Sequence, residues 1–325
     1  MSIYISIPTF VDNQLEFTIK DAISMADNPN DISIGLCFME INRETEYTNL
    51  FFNTKILPLI EDKRIRFKHF KVGEYVPSVG FGRNAALSMY EGEDYILQID
   101  SHTKFEKGWD SKIIKMFKEA LEETQNEKTV LTAYLGDYTH TNKEGRSLNY
   151  NQPIAKYPIM LPDFWNELPI PKWGDFSLRQ PPYMRDELYL PCIKFNAQFA
   201  FSNKLFYDEY GLPEDIIFWE EEIVQTMNLL YSGFSLVFPN QILPLTHLYF
   251  NDISHDVNDI NYRVSGANPR DLDGKAYFEG VADSYNRFIE DPANVEKIKK
   301  FHKYTRVHPK YGAFKDGYIP KQYNY

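Results

Sequence analysis

Short runs of β-branched and apolar residues alternate, over the first 135 positions, with segments whose apolar residues recur every three to four positions. No other feature restricts the fold as much. Ile3-Tyr4-Ile5-Ser6-Ile7 reads as a first strand closed by Pro8, and Leu15, Ile19 and Ile23 then mark one face of a helix. Ile32 to Phe38 is nearly continuous in apolar residues, as a strand buried on both faces should be. A helix is predicted from Leu50 until Pro58 stops it, then an alternating strand over Ile65–Phe70, then a helix from Gly80 through Met89. Tyr95–Ile99 is a fourth strand ending at Asp100, a helix follows through Ile113, Phe117 and Leu121, and Val130–Leu135 is a further strand. Such alternation predicts an α/β domain with a mainly parallel central sheet. In sheets of this kind ligands bind outside the carboxyl ends of the strands, where Asp100 stands.

Residues 136–192 are rich in Pro and aromatic residues and poor in periodicity, and they read as long loops on the acceptor side of a cleft. Strands are predicted at Ala197–Phe201 and Phe234–Phe238, with a helix from about Glu220 to Tyr231 between them. The expected division is a catalytic domain over 1–250 and a C-terminal extension over 251–325, helical near Ala276–Ile289 and Val295–His302, with a basic, Tyr-rich tail. No run approaches the roughly 20 apolar residues of a membrane span, no signal peptide is evident, and two cysteines (Cys37 and Cys192) cannot build a disulfide framework. The expected compartment is the cytoplasm. A net charge of −11 over 325 residues excludes a general nucleic-acid binder. Yet Lys299–Tyr325 holds seven Lys or Arg against one acid, Asp316, which leaves the first 298 residues at −17.

Three groups of residues carry chemistry. Asp100-Ser101-His102 places a carboxylate and an imidazole two positions apart, on one side of an extended chain. The pair can hold a divalent ion against a diphosphate, Mn²⁺ ahead of Mg²⁺ for a mixed O/N set, or it can be a solvated turn. Glu220, Glu221 and Glu222 open a helix, where acids also serve simply to oppose the helix dipole. His247 and Tyr249 follow an apolar strand, where a single histidine is commonly structural.

Taken in order, these motifs resemble the GlcNAc-transferase family of cytoplasmic polypeptide glycosyltransferases. Arg83-Asn84-Ala85 is followed by Gly92-Glu93-Asp94-Tyr95-Ile96-Leu97-Gln98-Ile99-Asp100-Ser101-His102, and Phe105 to Asp110 ends in Gly-Trp-Asp. Downstream, Phe218-Trp219-Glu220-Glu221 is similar to the family's Phe-Gly-Glu-Glu, with Trp219 replacing its small Gly, and His247 and Tyr249 match its His-x-Tyr. The resemblance implies a GT-A fold, the Rossmann-like fold of nucleotide-diphospho-sugar transferases. It also implies transfer of a sugar, GlcNAc or another, from a UDP-sugar to a hydroxyl of a macromolecule, with retention. By the same resemblance Pro8 and Thr9 contact the base, and Arg83, Asp100 and Ser101 contact the nucleotide sugar. Asp100, His102 and His247 hold the metal, while Glu220 and Glu221 face sugar and acceptor. The bulk of Trp219 leaves the donor sugar open.

Three other readings remain. The acceptor is a protein or, as in phage enzymes that glycosylate bases, a hydroxymethylated pyrimidine of DNA. The tail interleaves its basic residues with Phe301, Tyr304, Tyr311, Phe314, Tyr318, Tyr323 and Tyr325, which suits either a polyanion or a clamp on the acidic body. A composition rich in Ile, Lys, Asn, Tyr and Phe is compatible with an AT-rich phage or bacterial genome. The chain could also be a non-catalytic sugar-nucleotide-binding protein, or a hydrolase that gives the sugar to water.

Overall fold

The computed structural model describes residues 1–40, 45–75, 78–139, 149–152, 162–163, 172–173, 188–217, 220–248 and 283–305. The chain begins with β1 (Ile3–Thr9), α1 (Leu15–Ser24), β2 (Ile32–Met39), α2 (Thr45–Phe51), α3 (Leu57–Ile60) and β3 (Ile65–Phe70). It continues through α4 (Val79–Leu87), β4 (Tyr95–Ile99), β5 (Thr103–Phe105), α5 (Trp109–Thr124), β6 (Thr129–Thr132) and β7 (Gly136–Thr139). Four short strands follow, β8 (Asn149–Gln152), β9 (Pro162–Asp163), β10 (Lys172–Trp173) and β11 (Tyr189–Pro191). Then come β12 (Phe199–Asn203), α6 (Leu205–Glu209), α7 (Glu220–Tyr231), β13 (Ser235–Pro239) and β14 (Leu245–Leu248). Residues 283–290 form a helix, α8, and α9 spans Val295–Thr305. The expected boundary near residue 250, most of the predicted acceptor-side loops, Trp219, Tyr249 and the tail beyond Thr305 lie outside the described residues.

The central sheet runs β11-β13-β6-β12-β4-β1-β2-β3. The neighbours β3-β2-β1-β4 are all parallel, and so is β6-β13. β12 runs antiparallel to both β4 and β6, and β11 antiparallel to β13. The sheet is therefore mainly parallel, as the alternation predicts, with one reversed strand in its middle. Register shows that it is covered on both faces. Ile3 lies opposite Tyr95, whose ring packs edge-on against Phe117 of α5. The next residue, Tyr4, points the other way and donates its hydroxyl hydrogen to the Ala86 carbonyl of α4.

Two local details depart from the sequence pattern. Pro58 does not end the second helix: α2 passes through a π turn at Phe52–Ile56 into α3. The Leu57 N–H bonds to the Phe52 carbonyl five residues back, and this local widening lets the helix continue through the ring that lacks an N–H. The Gly-Trp-Asp signature is structural. Gly108 sits at φ 71° before α5, a left-handed conformation where a side chain would be strained. Trp109 is fully buried and its indole N–H bonds the Ala22 carbonyl at 2.9 Å. Asp110 accepts the backbone N–H groups of Asp27 and Asn28 at 2.8 and 2.9 Å, which fastens the α1–β2 connection to α5.

Candidate active site at the carboxyl edge of the sheet

Because β1 to β4 are parallel, Thr9, Met39, Phe70 and Ile99 end at one edge. The reversed strand β12 brings its amino end, and the segment before it, to that same edge. A smaller sheet, β5-β14-β7-β8, completes the site. In it β14 runs antiparallel to β5 with His247 directly opposite Thr103. That register carries His247 across 147 positions of sequence to Asp100, its Nε2 3.0 Å from Asp100 Oδ2.

Arg83 reaches the edge because α4 lies close against the sheet. A Cβ on Gly82 would stand 3.2 Å from the Pro8 side chain, and one on Gly80 would collide with the Pro213 carbonyl. The Arg83 guanidinium is buried and donates to the Ile99 carbonyl at 2.9 Å and to Asp100 Oδ1 at 2.6 Å. Its Nε lies 3.5 Å from Glu221 Oε2. One cation thus joins the strand-end aspartate to the helix-start glutamate.

His102 is oriented by Asp12, in the connection between β1 and α1, whose Oδ2 lies 2.8 Å from His102 Nδ1. The same oxygen accepts the Ser101 hydroxyl at 2.7 Å. The rings of His102 and His247 meet edge to face at 4.5 Å. Asp100, His102 and His247 each offer a ligand atom, and these atoms lie within 4.8 Å of one another. Bonds of about 2.1 Å to an octahedral divalent ion would span about 3 to 4.2 Å between ligands, so small adjustments would close them on it.

Electrostatics suit that use. Burial, and then neighbouring His102, push His247 down to about 4, so its imidazole is neutral near pH 7, the ligating form. Burial opposes the charge of Asp100, but Arg83, His247 and His102 outweigh it and hold the carboxyl well below the usual range. Burial lifts Glu221 up to about 8, against the pull of Arg83 and with added push from Glu222 and Asp100. Burial thus pushes Glu221 toward its neutral, protonated form.

The structure brings together Arg83, Asp100, His102, His247 and Glu221. Other residues singled out in the sequence face different partners. Thr9 donates its hydroxyl to the Phe10 carbonyl, Pro8 packs on α4 at Gly82, and Ser101 turns to Asp12. The fully buried Glu220 accepts from the Ile217 N–H at 2.8 Å and the Ser284 hydroxyl at 2.7 Å, linking the start of α7 to α8. Asp12 escaped the sequence reading, although its place just past a parallel strand marks it for this edge. Lys194 and Tyr134 also escaped it, and with them the partners of Glu222. Lys194 lies in an aperiodic stretch, and nothing in the sequence couples it to Glu222.

The model of the GlcNAc glycosyltransferase family matches residues 48–261. Among solved structures, GalNAc-T7 with UDP, GalNAc and Mn²⁺ superposes with a TM-score of 0.55 at 11% identity, over 93% of this chain and 54% of that one. Staphylococcus aureus TarS (residues 1–349) with UDP-GlcNAc gives a TM-score of 0.48 at 13% identity, over 94% of this chain and 71% of that one. The chain thus spans about half the length of the GalNAc-T7 chain. No curated protein matches it. At 11% identity the likeness to GalNAc-T7 establishes the GT-A fold alone.

Proposed function

Since this chain belongs to the GlcNAc glycosyltransferase family, we propose that it moves a sugar from a UDP-sugar to a hydroxyl of a macromolecule, with Asp100, His102 and His247 holding a divalent metal. One observation carries the reading. A carboxylate and a neutral buried histidine, joined by a second histidine that Asp12 orients, converge at the carboxyl edge beside a buried arginine. A bound ion, Mn²⁺ in the first instance, would screen the diphosphate and ease departure of UDP. Arg83 adds a fixed positive charge at the same place, and Pro8 and Thr9 end the strand on which the base would rest.

Glu221 separates the two stereochemical courses. Inversion needs an acid that takes the acceptor proton, and a carboxyl that burial pushes toward its neutral form is poorly suited to that task. A protonated Glu221 instead donates a hydrogen bond to a sugar or acceptor hydroxyl. The proton of the attacking hydroxyl then passes to the leaving phosphate oxygen, and the configuration is retained. Glu220 serves the fold, tethering the start of α7 through Ile217 and Ser284. The loops over 136–192 are assigned to the acceptor. A protein hydroxyl is the first acceptor class, and the basic, aromatic tail keeps hydroxymethylated DNA as the second.

The test is UDP release from a panel of UDP-sugars, UDP-GlcNAc first, with Mn²⁺ or with excess EDTA, in the presence of protein or hydroxymethylated DNA. Metal-dependent release stimulated by one acceptor class, with a matching mass increment on it, supports transfer. Release that ignores every acceptor makes the chain a sugar-nucleotide hydrolase, and binding without release makes it a sensor.

A further inference from the structure

One residue beyond Glu221, which meets Arg83, a second ionic cluster begins. Lys194 Nζ stands 2.5 Å from Glu222 Oε2, with the lysine side chain 3% exposed and the glutamate 14%. The ammonium also donates to the Tyr134 hydroxyl, which in turn donates to Glu222 Oε2 at 2.9 Å. The other carboxylate oxygen of Glu222 accepts the Ala197 N–H at 3.1 Å. A buried ion pair of this kind is costly to assemble and costlier to break, so its location calls for a reason.

The location is informative. Residues 194–198 are a junction between three elements. The Phe195 N–H bonds the Thr226 hydroxyl of α7, the Asn196 N–H bonds Thr132 at the end of β6, and the Gln98 amide of β4 bonds the Ala197 carbonyl. Glu222 ties this junction to the first turn of α7, one residue after the glutamate that meets Arg83.

We propose that Lys194 is a positioning residue for the transfer reaction: with Tyr134 it locks Glu222, and through Glu222 it fixes the first turn of α7 so that Glu221 faces Arg83 and Asp100. The inference rests on the glycosyltransferase reading above. Without the ammonium, the Glu222 carboxylate would be buried without its cation, and the turn that carries Glu221 would shift to rehydrate it.

Lys194→Met, Lys194→Arg and the double variant Lys194→Met/Glu222→Gln separate positioning from mere folding. The probes are UDP release from UDP-GlcNAc with Mn²⁺, UDP affinity by calorimetry, and the thermal midpoint. Lys194→Met should lower kcat by about tenfold or more while UDP affinity holds within about twofold, because the ligands of the diphosphate are untouched. Lys194→Arg should recover most of kcat. The double variant, which removes the stranded charge, should exceed Lys194→Met in kcat by about threefold or more. A wild-type kcat in Lys194→Met overturns the inference. So does a double variant that regains the wild-type thermal midpoint without regaining any kcat, since the stranded Glu222 charge would then not be what displaces Glu221. Wild-type protein that binds UDP yet never releases it from UDP-GlcNAc or any other UDP-sugar strikes the transferase reading itself, and this inference with it.

Discussion

Asp12 Oδ2 lies 2.8 Å from His102 Nδ1 across 90 positions of sequence. The contact fixes the tilt of the ring and leaves Nε2 as the nitrogen that would meet the proposed metal. Partners of this kind typically account for 10–100-fold in metal affinity. Asp12→Ala should weaken Mn²⁺ binding by about that factor and leave UDP binding without metal unchanged. Calorimetric titration of Mn²⁺ into both proteins measures the difference, and equal affinities would remove Asp12 from the site.

Asp100 links the two histidines of the proposed metal site to Arg83, so its removal should be severe. Asp100→Ala should lower turnover by on the order of 10²–10³ and also lower the thermal midpoint, because the buried Arg83 loses its partner anion. In wild-type protein excess EDTA should abolish turnover and added Mn²⁺ should restore it. Undiminished turnover in EDTA would end the metal assignment.

The proton on Glu221 has a consequence for stability. Its folded value of about 8 exceeds the ordinary 4.5. Well below pH 4.5 the carboxyl is neutral in both states and contributes no pH dependence. Between 4.5 and about 8 the unfolded chain ionises this group while the folded chain does not, so stability falls as pH rises, then levels off. Glu221→Gln should flatten that slope, which denaturant midpoints at pH 5 and pH 8 would reveal. Since Gln also donates a hydrogen bond, Glu221→Gln should keep turnover at pH 7 within about fivefold, whereas Glu221→Ala should lose about tenfold or more. Equal losses in the two variants would point to a carboxylate base and to inversion.

Two acids of the recognisable motifs should matter for folding rather than chemistry. Asp110→Ala leaves the Asp27 and Asn28 N–H groups without their acceptor and should cost about 2–3 kcal/mol. Glu220→Gln, which weakens the bonds from Ile217 and Ser284, should cost about 1–3 kcal/mol. In both, turnover per folded molecule should stay near wild type. A wild-type thermal midpoint with lost turnover would place either residue in the chemistry instead.

The comparison of these acids shows what sequence could and could not convey. β1, β2 and β4 were legible because strands buried on both faces must be apolar throughout, and their ends marked the ligand edge. Glu220, Glu221 and Glu222 look alike in sequence. Only the 100° step of a helix sends them to Ser284, Arg83 and Lys194. β5 and β14 are three and four residues long, too short to display a period, yet their register is what delivers His247 to Asp100. Pro58 misled because a π turn upstream is invisible to a rule written for regular helices.

Arg83 has one more implication. With its guanidinium 2.6 Å from Asp100, the carboxylate already has a resident counter-ion. The ligand set is electrically tolerable before any metal arrives, unlike a cluster of bare acids that would repel until filled. A divalent ion held as proposed would be free to leave with the nucleotide and be replaced. The supply of divalent metal around the protein would then govern how fast it works.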